Sequence, residues 1–202
     1  MIRLLLLSWL FAWHSSAKAG GPMQGVVDLL LDYLEARYPE QDLNGDVLYV
    51  SVKRQALFHA RGHRLLRVYP VATAKAGLGG TDGSLRTPTG LHRISEKFGE
   101  GVPEFGILKD RVFTGEFADP DFAGVDKDWI TSRILWLEGL EPGVNQGGQV
   151  DSHARYIYIH GTANEKSVGT ASSMGCVRMR NADVIHLFDE VPVGALVVIL
   201  DN

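Results

Sequence analysis

Residues 155–179 read RYIYIHGTANEKSVGTASSMGCVRM. The first six residues alternate in polarity and predict a β-strand that ends at His160. A glycine-containing loop then leads to Cys176, the only cysteine in the 202 residues and sixteen positions beyond His160. A cysteine and a histidine brought together by such a loop are the minimal parts of a thiol nucleophile and its base. The rest of the chain is therefore interpreted around this segment.

Residues 1–19 have the pattern of a secretory signal peptide. Arg3 gives a positive start, Leu4 to Trp13 is apolar, and Ala17-Lys18-Ala19 is a small-x-small cleavage site. The apolar run is too short for a transmembrane helix, which needs about 20 residues. We expect an exported protein, a mature chain beginning near Gly20, and no permanent membrane span.

The composition predicts a globular domain that does not bind nucleic acid. Hydrophobic residues make up 45% of the chain and charged residues 22%, which is enough for a well-formed core. The net charge of −4 becomes −6 when Arg3 and Lys18 are removed with the signal, whereas nucleic-acid binders carry a basic surface. One cysteine and scattered histidines offer no metal-ligand spacing, so no metal site is expected.

Export limits what Cys176 can be, since a single cysteine forms no disulfide within its own chain. It is either a small buried hydrophobe or a reactive thiol. Its neighbours Ser172, Ser173 and Gly175 are polar or small and make a poor core, which favours the reactive thiol.

The periodicity predicts a mainly β fold, resembling a sandwich, with an amino-terminal helix and one late helix. The helices are expected at 23–38 and, capped by Asn181, at 182–191. Strands are expected at 46–60, 64–74 (a hairpin about the turn 61–63), 91–95, 132–138, 155–160 and 195–200, with a glycine-rich loop at 76–90.

This pattern divides the chain into a signal (1–19), a helical segment (20–45) and one catalytic domain (46–202). Residues 98–150 have the mixed composition of a cap or insertion, either a lid over a groove or an ordinary packed segment. If residues 98–150 form a lid, its contacts to substrate would include Trp129, Arg133 and Trp136.

The segment 160–179 resembles the L,D-transpeptidase catalytic domain, the YkuD family. The matching residues are His160-Gly161-Thr162, Ser173-x-Gly175-Cys176-Val177-Arg178-Met179, Asp183, and the closing Gly194-x-Leu196-Val197-x-Ile199. Upstream, the strand from Leu48, the run VYPVATAKAG and the turn Thr87-Pro88-Thr89-Gly90 follow in the family's order. The resemblance spans about residues 46–200.

The resemblance implies a cofactor-free cysteine enzyme that cuts a peptidoglycan stem tetrapeptide before its terminal D-alanine. The acyl group then passes to a second stem, to a lipoprotein lysine or to water. Carried over by position, Cys176 is the nucleophile and His160 its base. Ser173 and Gly175 shape the oxyanion site, and Met174 lies in the same loop. Gly161 and Thr162 contact substrate, and Arg178 steadies the loop or binds the substrate. From its chemistry alone, Arg178 fits either a substrate carboxylate or a structural ion pair.

One residue departs from the family pattern, because Met174 stands where a histidine is usual. Methionine donates no hydrogen bond and accepts one weakly, so the contact made by that histidine is absent. Cys176 and His160 remain, and we therefore expect an active enzyme with an altered choice of acceptor. Two alternatives stay open: an L,D-carboxypeptidase that uses water, and a non-catalytic peptidoglycan-binding protein.

Overall fold

The computed structural model describes residues 21–119, 121 and 129–202, so the proposed signal peptide lies outside the described part. Helix α1 (Pro22–Arg37) begins with a proline in its first turn, where the missing N–H costs no hydrogen bond. The helix expected at 23–38 is therefore confirmed. Neither described helix is long and apolar enough to cross a membrane.

The described residues form ten strands and a second helix, α2 (Asn181–Glu190). The strands are β1 (Asp46–Ser51), β2 (Ala56–Arg61), β3 (Arg64–Pro70), β4 (Gly90–Phe98), β5 (Gly106–Lys109), β6 (Val112–Phe117), β7 (Ile130–Gly139), β8 (Tyr158–Thr162), β9 (Val177–Met179) and β10 (Leu196–Leu200).

The strands lie in the order β3-β2-β1-β10-β4-β7-β5-β6, and β8 pairs with β7 and with β9. The pairs β1–β10 and β8–β9 are parallel, and the others are antiparallel. Strand β7 pairs with both β4 and β8, so it connects the main run of strands to the β8–β9 pair.

Two apolar cores lie on opposite faces of β1, as its alternation requires. Val47 and Tyr49 face α1, where Leu31 and Leu34 pack against the sheet. The residues between them point into a second core shared by β7, β8, β9 and α2. One core is thus packed on each face of the sheet. This layered arrangement confirms the sandwich-like, mainly β fold with two helices.

The strand expected over residues 46–60 is wrong, because the chain turns between β1 and β2. Gln55 has a φ of 48° in this turn, and β1 pairs with β2 as a hairpin. Periodicity missed the turn because it contains neither glycine nor proline. The expected hairpin about residues 61–63 is confirmed by the pairing of β2 with β3.

Strands β5 and β6 form a hairpin within the region whose composition suggested a cap or insertion. Lys109 pairs with Val112, so Asp110 and Arg111 form a two-residue turn. Their φ angles of 50° and 68° are those of a type I′ turn. Asparagine and glycine are usual there, and their absence explains why the sequence indicated no hairpin.

Candidate active site

Strands β8 and β9 bring Cys176 and His160 to the same face of the sheet. The two strands are parallel, with His160 paired to Arg178 and Ile159 to Val177. Ile159 and Val177 point into the core, so His160 and Arg178 point to the other face. Cys176 comes two residues before Arg178 and packs on that same face, against the apolar cluster that includes Tyr158.

Backbone groups of the segment leading into β8 surround the Cys176 sulfur. The Tyr158 N–H lies 3.4 Å from Sγ and donates to it. The Tyr156 carbonyl also lies 3.4 Å away and accepts from the protonated thiol. A donated N–H favours the charged form of an acceptor, so the Tyr158 amide stabilises a thiolate at this position.

The ring of His160 is buried and is held by the main chain of the next residue. Nδ1 lies 2.7 Å from the carbonyl oxygen of Gly161, to which it donates. In a neutral ring this contact keeps the proton on Nδ1 and the lone pair on Nε2. The sequence left open what orients this ring, and the structure assigns the task to a main-chain carbonyl.

The carbonyl that orients His160 belongs to Gly161, where the surroundings leave no room for a side chain. A Cβ there would lie 2.6 Å from the Thr131 carbonyl oxygen and 2.8 Å from Oδ1 of Asn181. Glycine is therefore required at the second position of the His-Gly-Thr motif by close packing. Thr162 is buried as well, and its carbonyl accepts from the Asn181 amide.

Asn181 does not cap α2, so that expectation is wrong. The N-cap residue is Arg180, and no side chain makes a cap hydrogen bond. Oδ1 of Asn181 instead accepts from the hydroxyls of Thr131 and Ser132, each at 2.6 Å. Its Nδ2 donates to the Thr162 carbonyl and to Glu165. Asn181 thus ties α2 to β7 and β8 beneath His160.

The turn before Cys176 is held by two hydroxyl groups. Oγ of Ser173 donates to the Cys176 carbonyl at 2.6 Å and accepts the Gly175 N–H at 3.2 Å. Oγ1 of Thr87, in the glycine-rich loop, donates to the Gly175 carbonyl at 2.9 Å. Gly175 has a φ of 131°, which disfavours any other residue. These contacts fix the direction in which Cys176 leaves the turn.

Arg178 makes contacts that steady the loop between His160 and Cys176. Its side chain is 5% exposed, and Nη2 donates to Ser172 at 2.6 Å and to Ser167 at 3.4 Å. Both serines belong to this loop. These bonds support a loop-holding role for Arg178. Gly161 and Thr162, which were also expected to contact substrate, make contacts within the protein.

Arg155 is a residue of this site that sequence reasoning missed. It donates to the carbonyls of Arg86 and Gly79 at 2.8 and 3.4 Å, and so holds the glycine-rich loop. Burial lowers the pKa of Arg155, and the negative charges of Asp82 and Cys176 oppose this. Arg155 therefore fixes the glycine-rich loop, whose Thr87 in turn holds the turn before Cys176.

The three residues suggested as lid contacts lie in different environments. Arg133 is buried on β7 and donates to the carbonyls of Val102 and Ser132, and burial lowers its pKa. The Trp136 ring stacks between those of His153 and Tyr156. Trp129 packs against another small apolar cluster.

Three exposed apolar side chains belong to residues whose backbone lies near Cys176. Met174 is 59% exposed, Tyr156 55% and Leu85 54%. The backbone at Leu85 lies beside Gly175, and the Tyr156 carbonyl contacts Sγ. In the described ranges of the chain, no group of three histidine, cysteine or acidic side chains is placed to hold a metal ion. The site is thus a thiol with an apolar rim.

The family model for the YkuD L,D-transpeptidase catalytic domain matches residues 45–199. The chain belongs to this family. Over 48 residues it is 54% identical to the putative L,D-transpeptidase YqjB of Bacillus subtilis and 49% identical to the probable L,D-transpeptidase ErfK/SrfK of Escherichia coli. Each alignment covers 24% of this YkuD-family chain, and they cover 27% and 16% of those relatives, respectively.

Solved structures show the same fold at low identity. L,D-transpeptidase 3 from Mycobacterium tuberculosis aligns with a TM-score of 0.50 and 13% identity, covering 78% of this chain and 61% of that one. The Ldtfm-avibactam carbamoyl enzyme gives the same score and identity over 81% and 51%. These alignments concern the fold alone.

Proposed function

We propose that this chain is an exported cysteine L,D-transpeptidase that acts on peptidoglycan stem tetrapeptides. The observation that carries the proposal is the placement of Cys176 and His160 on one face of the β8–β9 pair, with the Tyr158 N–H directed at the sulfur. Family membership supports the reaction class, and the backbone contacts of Cys176 and His160 support their proposed roles as nucleophile and base.

In the first half of the reaction, the Cys176 thiol gives its proton to Nε2 of His160 and the sulfur attacks a carbonyl. This is the carbonyl that joins the third stem residue, usually diaminopimelate, to the terminal D-alanine. A C–S bond forms, the C–N bond breaks, and His160 returns the proton to the leaving amine. The products are free D-alanine and a thioester on Cys176.

In the second half, an acceptor amine attacks the thioester and His160 removes a proton from it. A new amide forms, the thiol is regenerated, and no oxidant or cofactor is consumed. The acceptor is the side-chain amine of a second stem or a lipoprotein lysine. With water in its place, the same residues perform an L,D-carboxypeptidase reaction.

The protein's location is part of the proposal. The signal pattern of residues 1–19 supports export, and peptidoglycan lies outside the inner membrane. We therefore place the mature chain in the periplasm or cell envelope. Fractionation of cells that express the tagged full chain tests this, and a protein retained in the cytoplasm with residues 1–19 uncleaved would contradict it.

The experiment that tests the activity is incubation of the purified mature chain with disaccharide tetrapeptide and analysis of the products by mass. We expect D-alanine to be released by the wild type and not by Cys176→Ala. A cross-linked dimer identifies amine transfer, and a tripeptide identifies hydrolysis. Binding of sacculi without D-alanine release would instead identify a non-catalytic peptidoglycan-binding protein and overturn the proposal.

A further inference from the structure

An arginine on the β5–β6 hairpin contacts Tyr158, whose backbone N–H donates to the candidate nucleophile. Arg111 is the second residue of the two-residue turn and has a φ of 68°. A side chain with a Cβ is disfavoured in this conformation and persists where its surroundings hold it in place. The contacts of the guanidinium show what holds it.

The guanidinium of Arg111 lies among aromatic rings. Its central carbon is 4.8 Å from the ring centre of Trp136, 5.7 Å from that of Tyr156 and 5.9 Å from that of Phe98. Nη1 also donates to the hydroxyl of Tyr158 at 3.3 Å. Cation–π contacts of this kind hold the planar group in a defined orientation.

A cavity of about 230 Å³ opens between this arginine and the sheet. Its lining is mostly apolar or aromatic: Leu108, Asp110, Arg111, Ile130, Ile134, Tyr156 and Tyr158. The cavity adjoins the nucleophile, because the Tyr158 N–H contacts the sulfur and Cys176 packs on the same apolar cluster. Pockets for whole ligands span about 300–1,000 Å³, so this one suits a single substituent.

The chemistry of the cavity selects a carboxylate on a short apolar stem. A guanidinium carries five N–H donors in a fork that matches a carboxylate. Within the described ranges, Arg111 forms no ion pair with any acidic side chain, although the Asp110 carboxylate lines the same cavity. The hydroxyl of Tyr158 is a further donor at the same place.

We propose that Arg111 and the Tyr158 hydroxyl form a carboxylate-binding subsite that holds one carboxylate of the stem peptide beside Cys176. The inference rests on the proposed function for the identity of the peptide. Two carboxylates lie near the bond that is cut: the terminal carboxylate of the leaving D-alanine and the side-chain carboxylate of the third residue. Both present the same chemistry to the guanidinium.

Peptide binding tests the subsite without requiring turnover. Tetrapeptide is titrated by NMR into Cys176→Ala and into Cys176→Ala/Arg111→Gln. A charge-assisted bond of this kind corresponds to about 10- to 100-fold in affinity, and we expect that weakening in the Arg111→Gln protein. The control is Arg64→Gln in the same background, because Arg64 is exposed on β3 at the opposite end of the strand order from β6; its affinity should not change.

Two modified peptides identify the carboxylate. One carries a terminal carboxamide and the other a carboxamide on the third-residue side chain. Amidation of the recognised carboxylate should weaken binding to Cys176→Ala by the same factor as the Arg111→Gln substitution does. The amidated peptide should bind Cys176→Ala/Arg111→Gln no more weakly than the unmodified peptide does. Arg111→Lys keeps the positive charge and Tyr158→Phe keeps the aromatic ring, so each should weaken peptide binding less than Arg111→Gln does.

The outcomes separate this inference from the proposed function. Equal affinities of all three peptides for proteins with and without Arg111, or no detectable binding of any peptide, would overturn the subsite. Release of D-alanine is measured separately on proteins that retain Cys176. If the wild type and Arg111→Gln release it with equal kcat/KM, the proposed function stands and the subsite fails. If the wild type releases none, the proposed function fails and the titrations still decide the subsite.

Discussion

His92 on β4 and His160 on β8 are two buried histidines with the same backbone anchor. Their side chains are shielded from solvent, and in each Nδ1 lies within hydrogen-bonding distance of a main-chain carbonyl, at 3.1 Å for Gly90 and 2.7 Å for Gly161. In a neutral ring, this contact puts the proton on Nδ1 and the lone pair on Nε2. The local strand geometry therefore does not distinguish a structural histidine from a candidate base.

The two rings differ in what lies on the other side. Nε2 of His92 is 2.9 Å from the Ser152 hydroxyl, which donates to it in the interior. Burial lowers the pKa of His92 to about 4, so this ring is neutral at pH 7. His160 shares its sheet face with Cys176 and a cavity. The two rings therefore share a type of anchor and differ in their surroundings: His92 is enclosed by interior hydrogen bonds, and His160 lies on the sheet face that carries Cys176.

The largest expected effect separates the two histidines by activity. His160→Gln should lower kcat/KM for D-alanine release by about 10²- to 10⁴-fold, the range for loss of a general base. His92→Gln should leave the rate near that of the wild type, because its ring contacts Ser152 and Gly90. Steady-state release assays on both variants measure this, and equal losses would contradict the distinction.

The second prediction concerns the pH dependence of stability. The pKa of His92 is lowered on folding from 6.5 to about 4, so the unfolded chain binds more protons between these values. This contribution to stability is complete above pH 6.5 and is lost as the pH falls toward 4, by on the order of 3 kcal/mol. Urea unfolding of wild type and His92→Gln at several pH values measures it. If the free energy of unfolding of His92→Gln depended on pH as steeply as that of the wild type, His92 would not be the source of this pH dependence.

A third prediction tests the carbonyl that anchors His160. Gly161→Ala places a Cβ against Thr131 and Asn181, and it should lower the free energy of unfolding by about 1–3 kcal/mol. Displacement of the carbonyl should also lower kcat by about 10-fold or more, since small misplacements are costly. Gly45→Ala, with nothing within 4 Å of the added carbon, is the matched control. Wild-type kcat in a folded Gly161→Ala would show that the anchor is dispensable.

The smallest expected effect is that of Met174→His, which restores the residue usual in the family. Met174 is 59% exposed, so stability should change by no more than about 0.5 kcal/mol. We expect the rate of D-alanine release to stay near the wild-type value and the ratio of dimer to tripeptide to shift. Product analysis in the presence of acceptor peptide checks both, and an unchanged ratio would remove Met174 from the acceptor step.

The sequence predicted those features of the site that depend on local pattern. Alternation before His160 correctly predicted a strand, although β8 runs from Tyr158 to Thr162 and does not end at His160. The thiol site indicated by a lone cysteine beyond a glycine-containing loop stays a prediction. It also predicted α1, the β2–β3 hairpin and a mainly β fold, because amphipathic periods and glycine turns are local signals.

What the sequence did not predict depends on partners distant along the chain. Asn181 has the residue type of a helix cap, yet its amide bonds to Thr131 and Ser132, about 50 positions away. Arg155 reaches the glycine-rich loop, and Arg111 reaches Tyr158, only through contacts between segments that are distant along the chain. Propensity describes the chain near a residue, and these contacts come from the assembled sheet.

The most direct test of Cys176 as nucleophile is the mass of the intact protein shortly after mixing with tetrapeptide. The account predicts an increment equal to the tripeptide acyl group, located on residue 176 by peptide mapping and removed when an acceptor amine is added. Cys176→Ala should show no increment and should release no D-alanine. Release of D-alanine by Cys176→Ala at the wild-type rate, or an acyl group on another residue, would contradict the account.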